Sequence, residues 1–354
     1  MSKKTIVFTG GGSAGHVTPN IAIINELNKN DWDIHYIGSK KGIEKELINK
    51  IDLPYYGISS GKLRRYIDFE NIIDMFRVIK GCLDARKVLR KIKPSLVFSK
   101  GGFVSVPVII AASTLKIPIF IHESDMTPGL ANKISQRFAT KIFTSFEEAK
   151  NYFPKNKTTV IGSPIRKELL NGSRQKGLEY LHFKSYIPIL TIMGGSLGAK
   201  KINETVRESL PELTKKYQIV HLCGKGNVDE SLKNIEGYKQ FEYVHDELAD
   251  VLAASQMIIT RGGSNAIFEF LALHKPMLII PLTKNQSRGD QILNGNSFKE
   301  KGFALMMEEE DLTNKSLQES IEELQTKKDF FIKNMKSSNQ SNALNVLLDE
   351  IYRN

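Results

Sequence analysis

The sequence Met257-Ile258-Ile259-Thr260-Arg261-Gly262-Gly263-Ser264 joins a largely apolar run to a pair of glycines. Its first four residues predict a buried strand, and residues 265–273 have the composition of a short helix. Pro276 interrupts the helix, a second strand is predicted over residues 277–280, and a polar loop then leads to Gln291. A strand, a glycine turn and a helix N-terminus in this order present backbone N–H groups and the positive end of the helix dipole to a ligand. The stretch is therefore typical of a phosphate-binding site.

Four residues of this stretch indicate which phosphate compound would bind. Gly263 and Ser264 stand at the predicted helix N-terminus, where glycine lets the backbone approach an anion closely. Glu269 follows about one turn later, where its carboxylate can accept two hydrogen bonds from a ribose diol. Gln291 carries both a donor and an acceptor, which suits sugar hydroxyls. Together these residues predict a nucleotide-sugar site.

Glycine loops follow apolar strands at four places in the chain, two in each half. In chain order they are Gly10-Gly11-Gly12-Ser13-Ala14-Gly15, Lys100-Gly101-Gly102, Gly194-Gly195-Ser196-Leu197-Gly198 and Arg261-Gly262-Gly263. The repetition indicates two similarly built halves. Short buried strands that alternate with helices predict parallel sheets with helices on both faces. Since ligands bind beyond the carboxyl ends of such strands, we expect two doubly wound, Rossmann-like α/β domains facing a cleft that holds all four loops.

Gly162-Ser163-Pro164 interrupts any regular element and marks the expected domain boundary. The predicted domains are therefore residues 1–163 and residues 164–340. After Leu312 the pattern becomes helical and polar, and residues 341–354 predict a final amphipathic helix that packs back on the N-terminal domain.

Composition limits the class of partner and the compartment. The 354 residues carry 50 basic and 39 acidic side chains, a net charge of +11, and 41% of them are hydrophobic. This charge favours an anionic partner, which could be a phosphate-bearing substrate, an acidic membrane surface or nucleic acid. Cys82 and Cys223 lack metal-ligand spacing, which is typical of a reducing compartment. The chain has no signal-peptide pattern and no apolar run of about 18 residues, so we expect a soluble or peripheral, cytoplasmic protein.

Three further motifs occur along the chain. They are Gly11-Gly12-Ser13-Ala14-Gly15-His16-Val17-Thr18-Pro19, His122-Glu123-Ser124-Asp125 with Pro128-Gly129-Leu130-Ala131-Asn132, and Gly194-Gly195-Ser196-Leu197-Gly198-Ala199. Together with Gly162-Ser163-Pro164-Ile165-Arg166 and the stretch ending at Gln291, they resemble the MurG family of bacterial glycosyltransferases over nearly the whole chain. The resemblance implies the GT-B fold, UDP-GlcNAc as donor, lipid I as acceptor and lipid II, a peptidoglycan precursor, as product, with no cofactor. It also implies that the N-terminal domain binds the acceptor at the membrane and the C-terminal domain binds the donor.

The resemblance assigns site residues position by position. Its implied donor contacts are Arg166, Ser196, Glu269 and Gln291 from the C-terminal half, and Gly12, Ser13 and Ala14 from the N-terminal half. Many relatives have Gln-Asn at the positions of Ser124-Asp125. An amide that donates and accepts is thereby replaced by a carboxylate that only accepts. Asp125 could therefore share the role of a general base.

The implied reaction is an inverting displacement, in which the 4-hydroxyl of the muramoyl sugar attacks the anomeric carbon from the face opposite UDP. A general base takes the proton of that hydroxyl. His16 is preferred for this role because it lies on a cleft loop and has a reference pKa near 6.5. The alternative is that His16 only braces the first helix. The helix dipole at Gly263-Ser264 and the loop amides near Ser196 would stabilise the departing diphosphate.

Other patterns in the chain fit other activities. Gly10-Gly11-Gly12-Ser13-Ala14-Gly15 matches the dinucleotide fingerprint, and Gly38-Ser39-Lys40-Lys41 at the end of the second strand leaves an NADP-dependent oxidoreductase as the alternative enzyme. Gly194-x-Ser196-x-Gly198 also matches a hydrolase nucleophile elbow. Asp31-Trp32-Asp33 matches a metal-binding Asp-x-Asp, although its position predicts a solvated turn. No His-Glu-x-x-His motif or Cys/His cluster occurs, so no metal site is expected. A basic nucleic-acid-binding module is the alternative outside enzymes, but no module signature supports it.

Residues 66–79 carry two adjoining apolar stripes at helical spacing. One stripe contains Phe69, Ile73 and Phe76, and the other contains Ile72, Met75 and Ile79. Residues 62–93 hold ten basic and four acidic side chains, a local charge of +6. A single stripe would satisfy a helix that faces the core. Two stripes with a basic rim favour docking on the anionic cytoplasmic membrane surface, and a fully buried helix is the alternative.

Overall fold

The computed structural model describes residues 3–61, 69–195, 198–338 and 342–354, and for residues 69–73 it describes the backbone alone. The chain divides into two compact units. Unit 1 comprises Met1–Pro164 and Gln340–Asn354, and unit 2 comprises Ile165–Asn339.

The described part of unit 1 contains seven strands. They are β1 (Lys4–Thr9), β2 (Trp32–Ser39), β3 (Tyr55–Ile58), β4 (Leu96–Ser99), β5 (Ile119–Glu123), β6 (Lys141–Thr144) and β7 (Thr158–Val160). The strands form one parallel sheet of order β3-β2-β1-β4-β5-β6-β7. The order reverses between β1 and β4, which makes the carboxyl ends of these two strands the expected ligand-binding edge.

Helices cover both faces of this sheet. They are α1 (Thr18–Glu26), α2 (Ile43–Asn49), α3 (Phe69–Ile92), α4 (Ser105–Thr114) and α5 (Leu130–Ser135), with 3₁₀ helices at Ala14–His16, Glu148–Tyr152 and Lys155–Lys157. Side chains alternate between the faces along each strand. In β1, Ile6 and Phe8 therefore join one buried apolar cluster and Val7 joins the other.

Unit 2 repeats this plan with a second parallel sheet. Its described strands are β8 (Ile189–Met193), β9 (Gln218–Leu222), β10 (Tyr238–Phe241), β11 (Met257–Thr260), β12 (Met277–Ile279) and β13 (Ala304–Met306), in the order β10-β9-β8-β11-β12-β13. Its helices are α6 (Lys167–Leu170), α7 (Arg174–Leu181), α8 (Lys200–Leu213), α9 (Leu248–Ala254), α10 (Ser264–Ala272), α11 (Asp290–Glu300), α12 (Asn314–Thr326) and α13 (Lys328–Lys336), with 3₁₀ helices at Glu230–Leu232 and Glu309–Asp311. The prediction of two doubly wound parallel α/β sheets is confirmed. The helix predicted over residues 265–273 is α10, shifted by one residue.

The last helix, α14 (Ala343–Arg353), packs on the first sheet. Leu347 and Ile351 are fully buried in the same cluster as Trp32, and the Tyr352 ring stands edge-on to Trp32 with ring centres 5.9 Å apart. The apolar face of an amphipathic helix is covered in this way, and the chain ends on unit 1. Within the described ranges, no helix is both long and apolar enough to span a bilayer.

Candidate functional site

The first glycine loop, residues 10–13, is closed around a buried carboxylate. Glu44 in α2 is fully buried and accepts hydrogen bonds from the backbone N–H groups of Gly12 (3.2 Å) and Ser39 (2.9 Å). Gly12 has a φ of +85°, and a Cβ there would lie 2.5 Å from the Phe103 ring. The Gly12 N–H is thus already engaged by a negative charge, which disfavours a second anion at this point. A dinucleotide would place its pyrophosphate on these N–H groups, so the geometry gives the NADP-dependent alternative no support.

His16 is held between the loops that follow β1 and β4. Ser13 is exposed at the start of the short 3₁₀ helix, while Ala14 and His16 are half-buried. The Nδ1 atom of His16 lies 3.2 Å from the main-chain oxygen of Lys100. A Cβ at Gly102 would lie 3.1 Å from the His16 ring, so the two loops are in close contact. His16 therefore lies at the carboxyl edge of the sheet, where the topology predicts a ligand.

A buried hydrogen-bonded chain links the ends of β4 and β5. Lys100 is 2% exposed, and its Nζ lies 2.5 Å from Nδ1 of His122 and donates to Oγ of Ser124. Nε2 of His122 lies 3.0 Å from the main-chain oxygen of Gly162. His122 can satisfy both contacts when Nε2 carries the hydrogen and donates to Gly162, while Nδ1 accepts from Lys100. This neutral form fits its pKa, which burial and the Lys100 charge hold well below the ordinary value.

Glu123 is the buried carboxylate that shapes the segment after β5. It accepts hydrogen bonds from the backbone N–H groups of Asp125 (3.0 Å) and Gly129 (3.1 Å) and from the side-chain amide of Asn132 (2.9 Å). Burial raises the pKa of Glu123, and the neighbouring Asp125 carboxylate raises it further. Asp125 is half-buried at the edge of this segment. The structure thus brings Asp125 and His16 to the same edge of unit 1, both next to Lys100.

A cavity of about 640 Å³ opens beside the first glycine loop. Its lining includes Gly12, Phe103, Lys40, Lys41 and Arg77. Lys40 and Lys41 give the cavity a basic wall, which suits an anionic ligand, while Arg77 is paired with Asp74 of the same lining at 3.0 Å.

In unit 2, Arg166 and Glu269 form an ion pair that the sequence analysis did not predict, although each residue was assigned to the donor. The Arg166 guanidinium donates to Oε1 of Glu269 through Nε at 3.3 Å and Nη2 at 3.1 Å. The two side chains are 32% and 17% exposed. Burial raises the pKa of Glu269, and the Arg166 charge opposes that rise. The pair therefore holds a mostly buried carboxylate in one orientation.

Glu269 belongs to α10, whose N-terminus begins at Ser264. Gly263 is its N-cap and makes no side-chain capping bond. A Cβ at Gly263 would meet nothing within 4 Å, whereas a Cβ at Gly262 would lie 2.4 Å from the main-chain oxygen of Gln291. Asn294 donates to the Gly262 carbonyl at 3.1 Å. Gly262 is thus required for close packing, while Gly263 leaves room for an anion.

Gln291 contributes partly to the fold itself. Its side-chain oxygen accepts a hydrogen bond from the backbone N–H of Leu282 at 3.0 Å, which ties α11 to the loop after β12. Its amide nitrogen is the group that can donate to a ligand hydroxyl.

Ser196 lies outside the described residues, but both sides of its loop are defined. A Cβ at Gly195 would meet nothing within 4 Å. Gly198 has a φ of +77°, and a Cβ there would lie 2.2 Å from the main-chain oxygen of Cys223. Asn203 holds the same oxygen with a 3.0 Å hydrogen bond. The loop is therefore tightly packed at Gly198, whereas Gly195 leaves room for a neighbouring group.

Sequence reasoning missed several charged residues whose partners are distant in the chain. Arg261 donates to the carbonyl oxygens of Ile280 and Pro281, each at 3.2 Å, and pairs with buried Glu309. The Arg261 guanidinium, next to the glycines in the chain, therefore joins the ends of β11 and β12 instead of binding a ligand. One feature of the sequence pointed to a partner for Lys100. This lysine directly follows a predicted buried strand, where a charged side chain is rarely buried without a partner.

The Asp31-Trp32-Asp33 sequence lies at the opposite edge from the glycine loops. Trp32 and Asp33 begin β2 instead of lying in a solvated turn, and Asp33 pairs with His35 at 2.8 Å. Among the residues that the structure describes, no group of three or more His, Cys, Asp or Glu side chains is arranged to hold a metal ion.

One side of α3 is apolar and exposed. Met75 is 55% exposed, Phe76 65% and Ile79 52%, and Leu83 extends this surface at 65%. We call these four residues the α3 apolar face. A fully buried helix is therefore wrong for this segment. The side chains of the other three residues predicted in the stripes, Phe69, Ile72 and Ile73, lie outside the described ones.

Basic side chains flank the α3 apolar face. Lys80, Lys87, Arg90 and Lys91 are exposed along the same helix, as is Arg77. The combination of exposed apolar and basic side chains is typical of a surface that docks on anionic lipid.

Comparison with known proteins covers both units. Residues 6–144 match the model of the glycosyltransferase family 28 N-terminal domain, and residues 189–351 match that of its C-terminal domain. A Bacillus cereus protein is 60% identical over 98% of this chain and 99% of its own length. A Clostridium botulinum protein is 53% identical over 100% and 99%. Both are named UDP-N-acetylglucosamine–N-acetylmuramyl-(pentapeptide) pyrophosphoryl-undecaprenol N-acetylglucosamine transferase. Among solved structures, that of Acinetobacter baumannii MurG covers all of both chains with a TM-score of 0.78 at 23% identity, a likeness of fold.

Proposed function

The chain belongs to glycosyltransferase family 28, and from this premise we propose that it moves GlcNAc from UDP-GlcNAc to the 4-hydroxyl of the muramoyl sugar of lipid I, giving lipid II. The observation that carries this proposal is the similarity, over nearly the whole chain, to transferases named for this reaction. Peptidoglycan synthesis would then be the process that the enzyme serves.

Unit 2 holds the donor in this proposal. The diphosphate of UDP-GlcNAc binds the open N-terminus of α10 at Gly263 and Ser264, where N–H groups and the helix dipole favour an anion. Glu269 accepts hydrogen bonds from the ribose diol, held in position by Arg166. The assignment of these residues is supported by the open space at Gly263 and by the fixed carboxylate. Ser196 and Gln291 complete the donor contacts as further proposals from the resemblance.

Unit 1 holds the acceptor. Gly12, Ser13 and Ala14, which the resemblance assigns to the donor, form the loop beside the 640 Å³ cavity, whose basic wall suits the phosphates of a lipid-linked sugar. Because Glu44 occupies the Gly12 N–H, we place the anionic part of the acceptor against Lys40 and Lys41 instead of on the glycine backbone. The proposed acceptor position is thus beside the loop that leads to His16.

The chemistry is a single displacement with inversion. The acceptor hydroxyl forms a bond to the anomeric carbon while the bond from that carbon to the UDP oxygen breaks. His16 accepts the hydroxyl proton through Nε2, because its Nδ1–H donates to the Lys100 carbonyl. Asp125 is the second candidate base. The helix N-terminus at Gly263 stabilises the negative charge that develops on the leaving diphosphate.

We further propose that the enzyme works as a peripheral protein on the anionic cytoplasmic membrane surface. The α3 apolar face would enter the interface while the basic side chains along the helix meet lipid headgroups. Both features belong to unit 1, the half proposed to bind a lipid-linked acceptor.

Release of UDP tests the proposed reaction. Purified enzyme with UDP-GlcNAc and a short-chain lipid I analogue should release UDP and form the disaccharide product. Neither UDP-GlcNAc alone nor UDP-GlcNAc with an unrelated alcohol should give UDP. Release that does not depend on the analogue would indicate a hydrolase, and no release with any lipid I analogue would contradict the proposal. A thermal shift with NADPH but not UDP-GlcNAc would restore the oxidoreductase alternative.

A further inference from the structure

The buried ammonium of Lys100 has no role in the chemistry described above, although the residue contacts both segments that carry a candidate base, one through its main chain and one through its side chain. Its main-chain oxygen is 3.2 Å from Nδ1 of His16, and its Nζ donates to Ser124, the neighbour of Asp125. A lysine that is 2% exposed needs partners, and these contacts, together with His122, supply them.

We propose that Lys100 is a positioning residue for the transfer reaction, which orients the Ser124-Asp125 segment toward the acceptor and balances its carboxylate charge. The inference rests on the proposed function. It adds to that function a lysine that holds the acceptor side of the site without touching the reacting atoms.

The charges around Lys100 explain why a cation is needed at this place. Glu123 and Asp125 are two carboxylates at one sheet edge, and the Asp125 charge acts against ionisation of Glu123. The Lys100 ammonium attracts both carboxylates from within the sheet. The titratable groups that face the ammonium are His122, Glu123 and Asp125 from β5 and the following segment, whereas His16 contacts only the main-chain oxygen of Lys100. Without the cation, repulsion between the carboxylates would displace Asp125.

The protonation of Lys100 is sensitive near neutral pH. Burial lowers its pKa to about 7, although the carboxylates of Glu123 and Asp125 oppose the change. Lys100 loses its positive charge as pH rises past about 7, so its positioning role weakens there.

Replacement of the ammonium by an uncharged side chain of similar length tests the proposal. Lys100→Met should lower kcat with a lipid I analogue on the order of 10-fold to 100-fold, because small displacements of acceptor-side groups are costly. The KM for UDP-GlcNAc should change little, since the donor contacts proposed at Gly263, Ser264 and Glu269 belong to unit 2. The exposed lysine in α5 serves as the matched control, and Lys133→Met should behave like the parent. An unchanged kcat in Lys100→Met would overturn the proposal.

Two readouts separate positioning from a loss of structure. In the parent, kcat/KM for the acceptor should decline as pH rises past about 7, and Lys100→Met should lack this decline. Asp125→Asn should cost less activity in the Lys100→Met background than in the parent, because Lys100 acts through this segment. If the two substitutions lower kcat by factors that simply multiply in the double variant, Lys100 does not act through this segment. A Lys100→Met enzyme with the pH profile of the parent would also count against the role of Lys100.

A more conservative variant covers the case in which Lys100→Met does not fold. Ser124→Ala removes only the hydroxyl to which Lys100 donates, at a half-buried position. It should lower kcat and leave the KM for UDP-GlcNAc unchanged, and a kcat equal to that of the parent would overturn the inference. If the parent itself transfers no sugar to any lipid I analogue, the proposed function fails. If the parent is active and these variants are too, only the role of Lys100 fails.

Discussion

The Arg166 guanidinium donates two hydrogen bonds to a single carboxylate oxygen of Glu269, through Nε at 3.3 Å and Nη2 at 3.1 Å. The carboxylate is mostly buried, and an unpaired charge there would be costly. The arginine therefore opposes the rise in the pKa of Glu269 that burial causes, and it orients the carboxylate. Such pre-organisation reduces the cost of binding a ribose diol, because the acceptor atoms need no rearrangement.

The first prediction concerns donor binding. Glu269→Ala should raise the KM for UDP-GlcNAc, because the ribose diol loses its acceptor at a cost of roughly 1–3 kcal/mol. Steady-state kinetics with varied UDP-GlcNAc and saturating acceptor analogue would measure the change. Glu208→Ala, at an exposed position of α8, is the matched control and should leave the KM unaltered. A Glu269→Ala enzyme with the parental KM and rate would remove Glu269 from the donor site.

The second prediction concerns the general base. His16→Ala should lower kcat by roughly 10²-fold to 10⁴-fold while UDP affinity stays nearly intact. Calorimetric titration with UDP, beside turnover measurements, would separate these two quantities. Asp125→Asn provides the comparison, because it keeps the size of the side chain. If Asp125→Asn causes the larger loss in kcat, Asp125 is the better candidate for the base.

The third prediction concerns the membrane surface. Binding to anionic vesicles should weaken as salt rises, since each basic residue near the surface contributes about 1 kcal/mol that is screened by ions. An apolar contribution should persist at high salt. Phe76→Asp with Ile79→Asp should abolish that contribution, because both side chains are more than half exposed on the α3 apolar face. Vesicle sedimentation at several salt concentrations would measure it.

A soluble acceptor provides the control for the membrane variant. The double variant should lose turnover of a lipid-embedded acceptor but use a short-chain acceptor normally. Tyr186→Asp, which is 78% exposed in the parent and lies in unit 2, should retain vesicle binding. Parental vesicle binding by the double variant would show that docking occurs elsewhere.

The fourth prediction concerns the pH dependence of stability. The pKa of Lys100 is lowered to about 7 in the folded protein, whereas an unfolded chain has a lysine pKa near 10.4. Between these values the unfolded state binds more protons, so this group makes the protein more stable as pH rises from about 7 to 10. Below about 7 the cost of burying the charge is fully present.

The difference between the parent and Lys100→Met isolates this effect. Urea unfolding followed by fluorescence reports on unit 1, because the single tryptophan, Trp32, is buried there. The free energy of unfolding of the parent, relative to Lys100→Met, should increase between pH 7 and pH 9. A difference that stays constant or decreases with pH would contradict the lowered pKa.

Local patterns were sufficient to predict the fold and the helix proposed to bind the donor. The run 257–260, the glycines after it and the apolar residues of α10 are neighbours in the chain, and their structure follows from strand and helix periodicity. The position of α10 was predicted to within one residue. The sequence favoured an exposed α3 apolar face but did not determine it, because two apolar stripes also fit a buried helix.

The sequence by itself determined the two parallel sheets and the order of the glycine loops, because backbone conformation and apolar alternation are encoded over a few residues. Only the tertiary structure decided which charges meet at those loops. Glu44 reaches Gly12 from 32 positions away, and Lys100 reaches His122 from 22 positions away. Burial and the distance between charges set the pKa of such groups and their freedom to bind a ligand. Neither burial nor the distance between two charges is defined until the chain has folded. The sequence motifs therefore assigned no role to Glu44 or Lys100.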